Sequence, residues 1–503
     1  MKFKAKRKTL AYVRVNIYGH PEYHIGKGKK MRRAFPYIKI LLLFPLVVGV
    51  YGFVVLAGEP FLDSAFNCVI MYVMNYGDTP PNILVEIARW TAPLATAGSV
   101  VLAVGSLHRW LVARWKYLRG GSVAVYGTEK DKEAILAKLG RRGISGQDVL
   151  VKAERYILMN SEAENFAFYH AHAAQLRCRQ VYLKCESLLT QSISEPNLKL
   201  FCPEEIAARL FWQQRDVNAL WQACSGTLKI IFLGFDKLGE ELLVQGLQNN
   251  LFAPRQRIEY HVFGDCSAFL ATHTSLKEIS DPVIAHEESW YDSLELLDQA
   301  DLVLVLQQQQ QSALLQSLLS TTLRREIDVF SAGEPALALL AQQERLRLFP
   351  WQTEALDLQS LFNDTLYRRA KRINLRYCHL FGGIEETEEN MEAEWAKLDA
   401  FTRYSNVSAA DYHELRLKLM AAQGLPLQAE ALSPEDMEVL AELEHIRWCR
   451  YHYLSNWRFG QAESGKPKDP VRRLHTLLIP YDQLPEAERT KDRENIRLLL
   501  SIQ

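Results

Sequence analysis

Apolar positions are unevenly placed along this 503-residue chain. Residues 40–57 (ILLLFPLVVGVYGFVVLA) run 18 positions without a charge, and residues 91–107 (TAPLATAGSVVLAVGSL) are uncharged too. A helix needs ~20 such residues to cross a hydrocarbon core. The first run predicts a spanning helix; the second, richer in small residues, predicts the return. Between them, residues 61–72 are mostly apolar but too short to span. Past residue 122 short apolar runs alternate with amphipathic stretches, predicting strands at 123–126, 148–151, 156–159, 181–184 and 198–201. Helices are predicted up to residue 139, over 163–176 and from Pro203. The alternation resumes with strands at 229–233, 258–263, 302–306 and 327–330. Strand, helix, strand in this order means a parallel, doubly wound sheet. After an acidic stretch at 382–394 (GGIEETEENMEAE), read as a solvated linker or exposed helix start, the pattern is helical. Ser408 is the expected cap of a helix carrying Tyr412, Leu415 and Leu419 on its apolar face. A further helix opens at Ser433-Pro434-Glu435-Asp436, with proline and acids in the first turn, and is expected to run on through residue 460.

Charge orients these segments. Residues 1–33 carry eleven Lys and Arg, and Arg109, Arg114, Lys116 and Arg119 follow the second apolar run. By the positive-inside rule both ends of the hairpin are cytoplasmic, which predicts a multi-pass inner-membrane protein. The basic leader is too long for the n-region of a cleaved signal peptide. Formal net charge is zero and 48% of residues are hydrophobic, which excludes little. The eight cysteines show no CxxC or metal spacing, so neither disulfides nor a metal site is expected.

The loop between the apolar runs, residues 58–90, holds Glu59, Asp63, Asp78 and Glu86 against Arg89 alone, a field that would gather cations. Non-helical backbone at membrane depth is tolerated only where it lines a cavity. Residues 66–81 (FNCVIMYVMNYGDTPP) therefore read as a re-entrant pore helix and filter. They resemble the potassium-channel pore family, whose filter TVGYGD falls on Val73, Met74, Asn75, Tyr76, Gly77 and Asp78. Val73 lacks the ligand hydroxyl of the family's threonine, and Asn75 stands where the family has a glycine of wide conformational range. These departures argue against strict potassium selectivity. The plain alternative is a turn between two anchoring helices.

In the second α/β stretch, KIIFLGFDKLGEELL places Gly234, Asp236 and Gly239 in the frame of a dinucleotide-binding turn, with Asp265 at the end of the next strand, where an acid could hold a ribose hydroxyl. Asp236 replaces the middle glycine and opposes a pyrophosphate by bulk and charge. The tandem units behind a pore resemble the RCK (TrkA-type) domains of gating rings, a likeness of topology more than of motif. An enzyme is not expected, because no substrate domain or acid/base constellation accompanies the Rossmann-like units.

Residues 440–496 carry Glu444-His445-x-Arg447-Trp448, Asn456-Trp457-Arg458-Phe459-Gly460, Leu474-His475, Leu478-Ile479-Pro480-Tyr481 and Lys491-Asp492-Arg493. This set resembles the ryanodine-receptor (RyR) repeat domain. His445, Arg447, Trp448, Trp457, Arg458, His475 and Tyr481 combine stacking surfaces with cationic donors, a chemistry suited to an anionic aromatic ligand. Against this, Trp448 and Trp457 are of a size usually found in a core.

The resulting scheme is a basic segment (1–35), a transmembrane hairpin with a re-entrant pore loop (36–118), two α/β RCK-like domains (119–226 and 227–380), and a linker with a small, mainly α RyR domain (381–503). What the resemblances imply is a homotetrameric channel for monovalent cations, gated by a cyclic or NAD-derived nucleotide and acting in antiviral defence. Nucleic acid polymers are not expected partners. Two other readings stay open: a housekeeping potassium channel or transporter subunit, and a non-conducting, membrane-anchored nucleotide sensor.

Overall fold

The computed structural model describes residues 34–75, 82–147, 149–186, 195, 197–224, 226–307, 311–321, 326–331, 337, 346–363, 365–461 and 465–502. The chain divides into two units, residues 1–119 with 146–152, and residues 120–145 with 153–503.

In the first unit, α1 (Ala34–Tyr51) continues into a wider, π-type turn at Gly52–Leu56, and α2 (Phe61–Met71) and α3 (Ile83–Leu118) follow. Glycine sets how closely these helices meet. A Cβ on Gly49 would stand 2.6 Å from Cys68 Sγ and 2.9 Å from Ala88 Cβ, and one on Gly52 would stand 2.9 Å from Val85 Cγ2. Small residues thus let α1 lie against α2 and α3 at once. Phe53, Cys68, Met71, Val85, Ala88 and Ala92 form the shared core. Asn82 caps α3 by accepting from the Leu84 N–H and donates to the Gly52 carbonyl, 3.0 Å away. Large apolar side chains, among them Leu43, Val47, Leu62, Phe66, Trp90 and Leu94, face outward. Among the described residues no helix is long and apolar enough to cross a membrane.

The second unit contains two parallel sheets. The first joins β1 (Val123–Tyr126), β2 (Gly143–Ser145), β3 (Arg155–Leu158), β4 (Gln180–Lys184) and β5 (Leu198–Phe201) in the order β2-β1-β3-β4-β5. The second joins β6 (Leu228–Leu233), β7 (Ile258–Phe263), β8 (Val283–His286), β9 (Leu302–Val305), β10 (Glu326–Phe330) and β11 (Leu346–Phe349) as β11-β10-β9-β6-β7-β8. Counted from its own first strand, the second sheet runs 6-5-4-1-2-3, which is the doubly wound Rossmann order. Its inner strands are buried on both faces, as continuous apolar runs such as Ile230–Leu233 require.

One core joins both sheets. Trp212, on α7 (Pro203–Gln214), donates from Nε1 to the Leu242 carbonyl at 2.9 Å. It also lies 3.1 Å from where a Cβ on Gly246 would be, on α9 (Lys237–Asn249). The rings of Phe211, Phe330 and Phe349 meet at 4.9–5.4 Å.

Four expectations need correction. No strand occupies residues 149–151; the strand beside β1 is β2, while Val149 is exposed and Asp148 lies outside the described residues. The helix expected over 163–176 breaks at His172 into α5 (Glu162–Ala171) and α6 (Ala173–Leu176). Ser408 caps nothing. It is buried within the helix Ala400–Ala422, whose cap is Asp399, accepting from the Thr402 N–H. Ser433 does cap its helix, accepting from the Asp436 N–H at 3.0 Å, but that helix stops at Leu454 and the chain reverses at Asn456 (φ 60°). A three-stranded sheet follows, ordered β12 (Arg458–Phe459), β14 (Leu474–His475), β13 (Lys468–Asp469), and the helix Glu486–Leu500 ends the unit. The acidic stretch holds the start of the helix Glu388–Lys397, capped by Thr387.

Candidate functional site

Open α/β sheets bind ligands where strand order reverses, outside the carboxyl ends of the strands. In the second sheet that point lies between β6 and β9. Gly234 takes φ 94°, and a Cβ there would come within 2.8 Å of the Gln307 N. Glycine therefore lets the turn after β6 close onto the end of β9. A Cβ on Gly239 would meet Phe235 at 3.1 Å and Leu306 at 3.2 Å, so this glycine serves the packing of α9 on the sheet. Asp236 caps α9, its Oδ1 accepting from the Gly239 N–H at 3.1 Å. The carboxylate takes the place at a helix N-terminus that a phosphate would occupy. Asp265 is exposed beyond β7 and accepts from the Ser267 N–H and hydroxyl at 3.1 and 2.6 Å, bonds that hold its carboxyl below the usual range. In the first sheet a Cβ on Gly127 would meet Met159 Cβ at 2.8 Å, so that reversal point is closed as well.

In the C-terminal module five of the seven expected ligand residues share one neighbourhood. His445 stacks with Trp448 at 5.8 Å and meets Tyr481 at 5.9 Å. Trp448 meets His475 edge-on at 4.9 Å, and His475 lies 6.3 Å from Trp457. His452 fills the middle, 4.0 Å from Trp448 and 5.4 Å from Trp457. Arg447 starts from the same helix turn but is engaged in the interior. It donates from Nε and Nη2 to Glu444 Oε1 (3.1 and 2.7 Å) and from Nη1 to Ser408 Oγ (2.9 Å). Arg458 is exposed on β12, apart from the buried rings. Trp457, His475 and Tyr481 are themselves buried.

The sequence did not single out two residues that flank this cluster. Across the small sheet Phe459 pairs with His475, and His475 with Lys468, so the three side chains share one face. Phe459 is 63% exposed, leaving an aromatic ring open on the face that also carries Lys468, one strand further across.

Burial keeps the imidazoles uncharged. It lowers His445 and His475, the latter with help from Lys468, and it takes His452 down to about 3. Asp492 moves the other way, pushed up to about 7 by burial and by Glu444. The 3.6 Å approach of His445 Nδ1 to Asp492 is therefore not a charge pair at neutral pH. From about pH 4 to 7 the folded chain keeps the Asp492 proton that the unfolded chain has released, so this group's contribution to stability falls as pH rises. In Asp492→Asn that loss is absent. Its melting temperature is expected to gain on wild type from pH 4 to 7 and hold the gain above; a difference independent of pH would contradict the assignment.

Val73, Met74 and Asn75 follow α2 and are exposed, with Met74 left-handed at φ 59°. Tyr76, Gly77 and Asp78 lie outside the described residues. Tyr72 is held from two sides: its hydroxyl donates to the Leu42 carbonyl, and its carbonyl accepts from Thr96 Oγ1 at 3.0 Å.

No family model and no curated protein matches the sequence. Among solved structures, the crystal structure of GsuK bound to ADP aligns at 12% identity with a TM-score of 0.33, covering 66% of this chain and 97% of that one. A likeness of that size carries no weight for fold or ligand.

Proposed function

We propose that the chain is the subunit of a ligand-gated cation channel in the inner membrane. In this reading the tandem Rossmann-like sheets act as RCK-type regulatory domains and the C-terminal module as an RyR-type nucleotide sensor. The observation that carries the reading is the first unit's build: the short helix α2 held by glycine contacts against two longer helices, with apolar side chains facing outward. An exposed apolar surface of this extent needs lipid or further copies to cover it. The acidic loop and the basic flanks supply the charge pattern of a cation path with cytoplasmic ends. One hairpin encloses nothing, so the reading requires a homotetramer.

The sensor reading rests on the exposed ring of Phe459 on the face it shares with His475 and Lys468. A base can stack there while a phosphate meets the Lys468 ammonium. A cyclic or NAD-derived nucleotide has both parts. Gating follows if the conducting state binds it more tightly; moving a 1:99 equilibrium to 99:1 takes a roughly 10⁴-fold preference, which subunits share. Depolarisation on infection would make the protein an antiviral effector.

Purified protein in liposomes, assayed for monovalent cation flux with a panel of cyclic and NAD-derived nucleotides, tests the whole reading. Ligand-dependent flux that Asn75→Gly alters and Lys468→Glu desensitises at least tenfold is the expected result. Ligand-independent, potassium-selective flux would favour the housekeeping channel. Nucleotide binding without flux would leave the non-conducting anchored sensor.

A further inference from the structure

The helix Thr365–Gly382 carries Arg368, Arg372 and Arg376 at four-residue spacing, with Arg369 beside the first. Residues so spaced form one row on a helix surface, here about 12 Å long. The row lines two cavities of about 410 and 200 Å³, which share Arg372 and Ile502 and so form one groove. Leu375, Met391 and Ile502 give its larger end an apolar floor, and Thr387 adds a hydroxyl to the wall.

Carboxylates line both cavities: Asp411 and Glu414 at the smaller end, where they already hold Arg209 and Arg369, and Glu386 and Glu388 at the larger end, where the anion would sit. Arg368 Nη2 meets Glu388 Oε1 at 2.7 Å with Glu388 69% exposed, and Arg376 Nη1 meets Glu386 Oε1 at 2.5 Å. Exposed pairs of this kind are worth about 0–1 kcal/mol, so a stronger anion displaces them at little cost. Arg376 has unused capacity besides, since its buried Nε has no hydrogen-bond partner. Guanidinium forks one helical turn apart suit the oxygens of a diphosphate, which can accept from both.

We propose that this groove is a second anion site, separate from the Phe459–Lys468 face, taking a soluble diphosphate-bearing molecule whose apolar part rests on Leu375, Met391 and Ile502. Its occupation needs neither a conducting pore nor the ring cluster of the C-terminal module.

Titration calorimetry of the full-length protein with inorganic pyrophosphate is the test. Wild type is expected to bind, and the double variant Arg372→Gln, Arg376→Gln to lose at least tenfold in affinity, while Lys468→Glu binds as wild type does. Glu386→Gln with Glu388→Gln removes the competing carboxylates and is expected to tighten binding several-fold, a gain that misfolding does not produce. No pyrophosphate binding by wild type, equal binding by the arginine variant, or no gain in the glutamine variant would each overturn the proposal. Loss of binding in Lys468→Glu alone would move the anion to the other face. None of these outcomes depends on ion flux.

Discussion

Asp411→Ala is expected to destabilise the folded chain by about 3–5 kcal/mol, the usual cost of removing one partner from a buried ion pair. Asp411 receives Arg209 in fork geometry, Nε at 2.7 Å and Nη2 at 3.0 Å, with both side chains almost wholly inaccessible. Gln213 adds a third donor at 3.1 Å. Among the described residues Glu205 also pairs with Arg209, at 3.8 Å, but burial has pushed that carboxyl up to about 7. Tyr404, which donates to Glu205 at 3.2 Å, offers the guanidinium no replacement. The variant therefore buries a poorly compensated charge between α7 and the helix Ala400–Ala422. Urea denaturation of the full chain measures the loss. Pairing Asp411→Leu with Arg209→Met is expected to recover most of it, because the double variant leaves no charge behind. A single variant within about 0.5 kcal/mol of wild type would mean that Arg209 finds solvent or another acceptor.

Glu444→Gln is expected to cost a similar amount and to reach further into function. Glu444 serves two buried cations, Arg447 through Oε1 and Arg416 through Oε2. Burial alone would raise its carboxyl, but the two arginines outweigh burial and hold it below the usual range. Arg416 has little else: its Nε and Nη1 have no hydrogen-bond partners, and it lies 4.8 Å over the Tyr412 ring. His413, one turn away on the same helix, is held neutral, its value taken down to about 3 by burial and by Arg416, so it adds no third positive charge. The neutral amide leaves two positive charges facing each other across the contact between the helices Ala400–Ala422 and Pro434–Leu454. Loss of about 3–5 kcal/mol by urea denaturation, with faster amide exchange along residues 434–454, is the expected result. If melting and exchange both match wild type, Glu444 is not the anchor. Glu444→Asp keeps the charge and is expected to fall between.

The sheets were legible where strands are buried on both faces. Residues 123–126 and 258–263 read as strands and have those limits in the structure; residues 198–201 did as well, although β5 lies at a sheet edge with its middle half-buried. The edge strands β8 and β11 were not read. Val283–His286 is only partly buried, and edge strands of this sort carry weak patterning. The misplaced strand at 148–151 shows a different limit. Val149-Leu150-Val151 has the stronger β-propensity, yet the strand beside β1 begins at Gly143, where a Cβ would fall 2.7 Å from Leu136 Cδ2 and 3.0 Å from Leu139 Cβ, so glycine lets this strand pack closely on the helix Glu129–Leu139. Propensity sees the residue, and packing sees the space.

The candidate sites were legible to a similar depth. The resemblance to the RyR repeat singled out the rings that cluster, but not that Arg447 turns inward to Glu444. Phe459 and Lys468 are brought together only by the register of a strand between them. The arginine row was not read from the sequence, and the carboxylates and cavity walls that give it a shape come from residues 386–414 and 501–502, which no local pattern connects to it.

The double hold on Tyr72 limits how the N-terminal bundle can move. With its hydroxyl on the α1 carbonyl of Leu42 and its own carbonyl on Thr96 of α3, the end of α2 is lashed to both long helices. Drawing α1 and α3 apart must break one lashing or carry Val73, Met74 and Asn75 along. A separation that keeps both bonds is then a tilt of three helices travelling as one body, not the swing of a loose loop.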